Sequence, residues 1–200
     1  PALALIRERE RVVGIQTSTE TVHAEAVIVA TGAWASDLIR PLGLLLPVKP
    51  MRGQMLAVRT VPRAVSQIIY GRHMYLVPRP DGETLIGATV EDVGFRKEVT
   101  LEGLEELIQA GRRIAPGMMH QPVIRTWAGL RPGSPDGLPL VGPVAELPGL
   151  ILAVGHYRNG ILLGPMTGLL VKQWLVDRVP SPQLDLLRPE RFPLQHRPVE

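Results

Sequence analysis

The sequence predicts an α/β fold at both ends of the chain, with an α+β segment inserted between them. Two short apolar runs carry the first part of that prediction. Ala26-Val27-Ile28-Val29-Ala30 and residues 150–154 are continuous stretches of the kind buried on both faces of a parallel sheet. Each is followed by a glycine-containing turn and a helical run. The second part rests on the region between them, where four short strand-like runs accompany one amphipathic helix.

The elements follow in order. Residues 11–18 read as a strand, and residues 21–30 as a longer one that becomes wholly apolar toward its end. That strand stops at Thr31-Gly32-Ala33. A short helix follows, with Ser36 as its N-cap, Leu38, Ile39 and Leu42 as its apolar residues, and Gly43 as its stop. Residues 54–59, 66–70, 74–78 and 84–90 are the four strand-like runs. Arg79-Pro80-Asp81-Gly82 joins the last two as a turn, because proline presets φ, aspartate bonds locally and glycine accepts positive φ. Thr100 caps a helix over 101–114, with Leu101, Leu104, Leu107, Ile108 and Ile114 as its apolar stripe. Residues 123–128 read as a strand, and the Gly/Pro-rich stretch 129–137 as a loop. After the run at 150–154, a turn at 155–160 leads into a helix reaching about residue 179. Pro165 sits either in its first turn or at a kink. The proline-rich tail from Pro180 reads as a surface segment.

Composition narrows the function. The 200 residues carry 22 Lys plus Arg against 19 Asp plus Glu, a net charge of +3, and no cysteine. The length suits one domain or parts of two, and an apolar share of 45% argues against wholesale disorder. Without cysteine there are no disulfides, thiolate metal sites, cysteine nucleophiles or cysteinyl cofactor links. Nineteen of the 22 cations are arginine, scattered among acids with no run of five like charges, so a nucleic-acid groove is not expected. The first six residues are too short for a signal core. The longest apolar stretch, 161–176, is broken by Gly164, Pro165, Gly168 and Lys172. No membrane segment and a cytoplasmic location are therefore expected. The chain starts without Met, in what reads as the middle of a strand.

Several motifs are missing: GxGxxG, the phosphate loop, HExxH and GxSxG. The five histidines are dispersed, so no metal site is expected. Four segments stand out, each with a plainer alternative. Residues 27–34 (VIVATGAW) bring backbone to the carboxyl end of a strand, where α/β sheets hold ligands, or form an ordinary junction. Arg131, between a strand and a stiff Gly/Pro segment, offers a preorganised fork for a carboxylate, or is one more surface arginine. Residues 155–160 (GHYRNG) open a helix whose free amides favour negative charge, or are a tight connection. Alternation puts His73, Tyr75 and Val77 on one sheet face, where the tyrosine hydroxyl orients a substrate or is satisfied in packing.

These segments, in this order, resemble the FAD-dependent D-amino-acid-oxidase superfamily, and within it the glycine oxidases of thiamine biosynthesis. The resemblance rests on VIVATG, AGLRPGSPDGLPLVGP, GHYRNGILLGP and the closing LRPERF, and spans nearly the whole chain. It implies the C-terminal part of a Rossmann-like FAD-binding domain combined with an antiparallel-sheet substrate domain. The division would be 1–46 partial FAD domain, 47–130 substrate domain, 131–180 return to the FAD domain and 181–200 tail.

Carried over by position, the resemblance assigns Arg131 to the substrate carboxylate, Tyr75 to a hydrogen bond with it, and Arg158 to the edge of the same pocket. Gly155, His156, Arg158, Asn159, Gly160, Ile161 and Leu162 would face the flavin ring. Thr31, Gly32 and Ala33 would lie by its ribityl or phosphate part, and Arg52 and Gly53 match the RGQ motif near the cofactor. The implied reaction is oxidation of a small amino acid, with hydride passing from the α-carbon to flavin N5 and oxygen as acceptor. It depends on positioning more than on acid–base help. FAD would be held noncovalently. At Val90 the chain departs from glycine oxidase, which carries Met near the pocket. The N-terminal strand, GxGxxG turn and first helix are expected to be missing, roughly the first ~150 residues judged by the usual dinucleotide-binding unit. This chain alone is then expected to be inactive and not to retain FAD. Two alternatives stay open: a silent assembly module that self-associates through sheet edges, and a dehydrogenase using another acceptor.

Overall fold

The computed structural model describes residues 1–60, 64–71, 74–179, 181–192 and 195–196. The chain divides into two compact units, one of Pro1–Pro50 with Arg131–Glu200 and the other of Met51–Leu130. His73 lies outside the described residues.

The first unit opens with β1 (Ala2–Glu8) and β2 (Arg11–Thr17), paired antiparallel, and β3 (Thr21–His23) adds to β2. β4 (Val27–Val29) belongs to another sheet, so residues 21–30 form two strands rather than one. The break has a local cause. The Ala24 amide donates to Val13 and the Arg11 guanidinium to the Glu25 carbonyl, which holds residues 24–25 beside β2 and frees the chain after them. The helical segment is broken into a 3-10 turn, the short α1 (Ala35–Ile39) and a second 3-10 turn, ended by Gly43 at φ +85°. Ser36 does not cap it. Its hydroxyl lies inside α1 and donates to the carbonyls of Leu46 (3.3 Å) and Val48 (2.7 Å), closing β5 (Leu44–Leu45) and its flank onto the helix.

The second unit is an antiparallel sheet with one helix. β6 (Lys49–Arg59), β7 (Ile69–Tyr70), β8 (Tyr75–Pro78), β9 (Glu83–Gly87), α2 (Leu101–Ile114) and β10 (Val123–Gly133) follow in the chain. The sheet order is β10-β6-β9-β8-β7. The β8–β9 turn forms as its residues require: Gly82 has φ +84°, and the Asp81 carboxylate accepts from the Glu83 amide at 3.1 Å. Thr100 caps α2, its hydroxyl accepting from the Gly103 amide at 3.2 Å. The buried face of α2 differs from the apolar stripe read in the sequence. Gly103, Leu107, Ala110 and Gly111 are buried, while Leu101 is 87% exposed and Ile108 lies at the surface. Small residues let the helix approach the sheet, and a count of large apolar side chains does not see them. β10 continues through Gly129 to Gly133, where a loop was expected. It is an edge strand, and an edge tolerates the proline at 132.

The chain re-enters the first unit at Arg131, and β11 (Leu140–Pro143) and β12 (Leu150–Val154) follow there. The sheet order β11-β12-β4 makes β12 central and β4 an edge, so Leu152 is fully buried while Ile28 is 46% exposed. Burial of the 27–30 run on both faces is thus not what the structure shows. α3 (Gly160–Lys172) has Pro165 in its second turn, inside the helix, which removes the bond to the Ile161 carbonyl. A π-type turn over Gln173–Asp177 then ends at Arg178, φ +58°. The tail is more than a surface segment. It forms α4 (Gln183–Leu187), whose Leu184 is buried against Val141, Ile151, Leu170 and Val171. Val29, Ile39, Leu140, Leu150, Leu152 and Val154 lie in the main core of this unit. Among the described residues no helix is long and apolar enough to cross a membrane, and no His/Cys/Asp/Glu group could hold a metal.

Candidate active site

The site begins at one edge of the first unit. β4 and β12 run parallel, with Val27 opposite Leu150 and Val29 opposite Leu152. Their carboxyl ends therefore share an edge, and the chain leaves it twice, through Thr31-Gly32-Ala33 and through residues 155–160. Gly32 turns at φ +57°, whereas Ala33 points into the core and is 1% exposed. Gly155 is required on two grounds. Its φ is +79°, and a Cβ there would meet Leu140 Cδ1 at 3.1 Å. Tyr157 adopts φ +49°, a left-handed conformation that side chains rarely take and that functional turns retain.

This turn delivers the N-terminus of α3. Asn159 makes no side-chain cap, and the Leu163 amide bonds back to the Asn159 carbonyl at 2.8 Å. The amides of Gly160, Ile161 and Leu162 thus lie ahead of the helix ladder, and no acid occupies the first turn. The result is an uncharged patch of donors with positive potential. The Ile161 and Leu162 side chains are 99% and 78% exposed. They do not line the cavity of about 590 Å³ that runs along the Gly160, Gly164 and Gly168 face of α3, with Ile28, Ala153 and His156 also in its wall. His156 shares a 2.8 Å hydrogen bond with the Thr167 hydroxyl, and burial holds its pKa below the ordinary 6.5.

The two arginines assigned to the substrate are tied together through their neighbours. Arg131 lies near the end of β10, and the carbonyl of Pro132 accepts from the Tyr157 amide at 3.0 Å. The Arg158 guanidinium lies over the Tyr157 ring, 5.3 Å from its centre. Tyr75 belongs to the second unit. It pairs with Tyr70 on one side and Gly87 on the other, and Gly87 pairs with Met55. The Tyr75 hydroxyl donates to the Met55 sulfur at 3.4 Å, and its ring stacks on Tyr70 with centres 5.9 Å apart. Gly87 leaves the space that the Met55 thioether and the Tyr75 ring fill. Met55 and Gly87 were not singled out in the sequence, because the register that aligns them with Tyr75 spans three strands.

Arg52 is turned inward. It is 5% exposed, its Nε and Nη2 donate to Glu91, and its Nη1 donates to the Glu98 carbonyl at 3.1 Å. Thr89 and Gln54 also donate to Glu91. Burial alone would raise the Glu91 pKa, but these hydrogen bonds outweigh it and leave the carboxyl below its ordinary 4.5. Gly53 follows Arg52 in β6 and is buried with it.

Parallel strands ending at an open helix N-terminus, in a chain that also builds an antiparallel sheet, define a mixed α/β protein with its candidate site at the carboxyl ends of those strands. The chain belongs to the FAD dependent oxidoreductase family (DAO), whose model matches residues 1–174. It is 40% identical over 175 residues to a glycine oxidase of Pseudomonas aeruginosa, covering 88% of this chain and 48% of that protein. It is 42% identical over 196 residues to a bifunctional protein ThiO/ThiG of Trichormus variabilis, covering 96% of this chain and 29% of that protein. The crystal structure of glycine oxidase from Geobacillus kaustophilus superposes with a TM-score of 0.80 at 36% identity, covering 91% of this chain and 49% of that one. The chain thus spans less than half of each of these three relatives.

The residues present fit one end of FAD. An amide patch at a helix N-terminus with no acid in its first turn suits a flavin ring whose charge grows on reduction. The 200 residues contain no GxGxxG turn for a pyrophosphate.

Proposed function

We propose that this chain is the substrate-binding and flavin-facing portion of an FAD-dependent amino acid oxidase acting on glycine or a related small amino acid. The Tyr157–Pro132 hydrogen bond carries the reading, because it joins the segment bearing Arg131 to the turn that opens α3. FAD, when bound, supplies the two-electron acceptor for the amine. Arg131 pairs with the substrate carboxylate as a planar fork, Tyr75 donates to the same group, and Arg158 flanks it. The amides of Gly160, Ile161 and Leu162, with Gly155, His156 and Asn159 in the turn, hold the ring end of the cofactor. Thr31, Gly32 and the Ala33 backbone border its ribityl or phosphate part. The Arg52–Glu91 pair, with Gly53 between Arg52 and Gln54, keeps the start of β6 in place.

The test is an assay of the natural protein containing this chain, carrying FAD, with glycine, sarcosine and D-alanine, followed by peroxide release. Peroxide from at least one amine is expected, and silence on all three overturns the oxidase reading. Consumption of amine with an artificial acceptor but not with oxygen reassigns it as a dehydrogenase. The 200-residue chain alone is expected to lose added FAD on gel filtration, and stoichiometric retention refutes that expectation.

A further inference from the structure

Two motifs singled out in the sequence, SPDG at 134–137 and LRPERF at 187–192, meet in the fold. Arg191 is the joint. Its Nε donates to Asp136 Oδ2 at 2.8 Å, and its Nη2 to Asp136 Oδ1 at 3.2 Å and the Leu138 carbonyl at 2.8 Å. Its Nη1 donates to the carbonyls of Leu187 (2.8 Å) and Arg188 (3.1 Å). The guanidinium lies over the Phe192 ring, 4.7 Å from its centre. All five donors are used, on a side chain that is 17% exposed. Asp136 also accepts from the Leu138 amide at 3.0 Å, and the Ser134 hydroxyl donates to the Leu138 carbonyl at 2.7 Å.

The joint has a fixed base and a functional load. At its base, Leu184 of α4 is buried in the core and Pro189 is buried beside the motif. Its load is the loop that immediately follows Arg131, Pro132 and Gly133. Pro132 is held from the other side by the Tyr157 amide. The end of β10 is therefore bonded by the 155–160 turn at Pro132, and the loop that leaves it is bonded by the closing segment at Asp136 and Leu138.

We infer that Arg191 and Asp136 are positioning residues for Arg131: the closing segment straps the loop after β10 and fixes the guanidinium that receives a carboxylate. This rests on the proposed role of Arg131. The Arg191 hydrogen bonds draw the Asp136 pKa down to about 2, so the pair stays charged across the working range. A bidentate pair fixes orientation as well as distance, and small losses of placement are costly where a fork must meet a carboxylate.

The experiment uses the natural protein containing this chain, carrying FAD, with Asp136→Asn, Arg191→Lys, Arg131→Lys and, as a control, Asp185→Asn. Asp185 pairs with Arg188 on the exposed side of the same segment. Three quantities are read: melting temperature, the separate KM and kcat for the amine oxidised, and the Kd of glycolate from the flavin absorbance. Asp136→Asn and Arg191→Lys are expected to raise KM and the glycolate Kd roughly tenfold with kcat within about twofold, and Asp185→Asn to move neither. Unchanged KM and Kd in the folded variants overturn the inference, as does a fall in activity that only tracks the folded fraction. If Asp136→Asn does not fold, Arg191→Lys carries the same reading, because it keeps the charge and loses the fork. If Arg131→Lys leaves glycolate affinity intact, the role of Arg131 itself fails. If it weakens affinity while the other two do not, only the strap fails.

Discussion

The carboxamide of Gln54 occupies the space that a Cβ on Gly103 would take. Gln54 is fully buried, with its Nε2 donating to Glu91 at 2.9 Å and to Thr100 at 3.0 Å, and its Oε1 accepting from the Thr100 amide at 2.8 Å. A glycine in the first turn of α2 thereby lets a side chain from β6 hold both the helix cap and the end of the sheet.

Gly103→Ala sets two effects against each other. Alanine improves helix propensity by about 1 kcal/mol, but it displaces Gln54 and strands buried polar groups at a cost of about 2–3 kcal/mol. Net destabilisation is expected, read as a lower urea midpoint with an unchanged slope. A stabilised variant would show that the network yields easily.

Glu91→Gln tests the same network from its charged centre. Arg52 keeps its charge while buried and loses its nearer carboxylate, with only Glu98 Oε2 left at 3.8 Å, which costs about 2 kcal/mol. With the Glu91 pKa below its ordinary 4.5, the stabilisation is present above that value and is lost as pH falls below it. Wild type and Glu91→Gln are expected to converge in stability under acid, and parallel pH curves would count against the pairing.

Arg131→Ala is expected to raise KM for the amine about a hundredfold or more, through loss of a charge-assisted fork, with a smaller change in kcat. Steady-state kinetics measure it, and an unchanged KM removes Arg131 from carboxylate binding.

His156 gives a pH signature near neutrality. Burial lowers its pKa, so the unfolded chain takes the proton first and stability falls as pH drops below the ordinary 6.5. The urea midpoint is expected to decline from about pH 7.5 to about pH 5.5, less steeply in His156→Gln. Asp136 acts at lower pH. Its contribution is full above the ordinary 3.8 and is lost as pH falls toward about 2, which hydrogen exchange in α4 reads directly.

The sequence was most legible where local rules act alone. Thr100 and Pro116 bound α2, and Pro80-Asp81-Gly82 makes its turn, because caps and turns are settled by neighbours a few residues apart. It was least legible where partners are distant. The exposure of Ile28 follows from β4 being an edge strand, which no pattern in residues 27–30 reveals. The glycines on the buried face of α2 carry no hydrophobic signal. Gly/Pro content hid the continuation of β10, and the meeting of Arg191 with Asp136 joins motifs that look independent along the chain.

The pairing of β4 with β12 has a kinetic consequence. Every element from α1 to β11 lies between the two strands in the chain, so their three paired positions close a very long loop for little local gain. Hairpins such as β8–β9 close early, because their contacts are local. The β4–β12 edge that carries the 155–160 turn is therefore expected to assemble late in folding. Because β12 also pairs locally with β11, it is protection of the Val27–Val29 amides, on β4, that reports whether the intervening chain has already found its place.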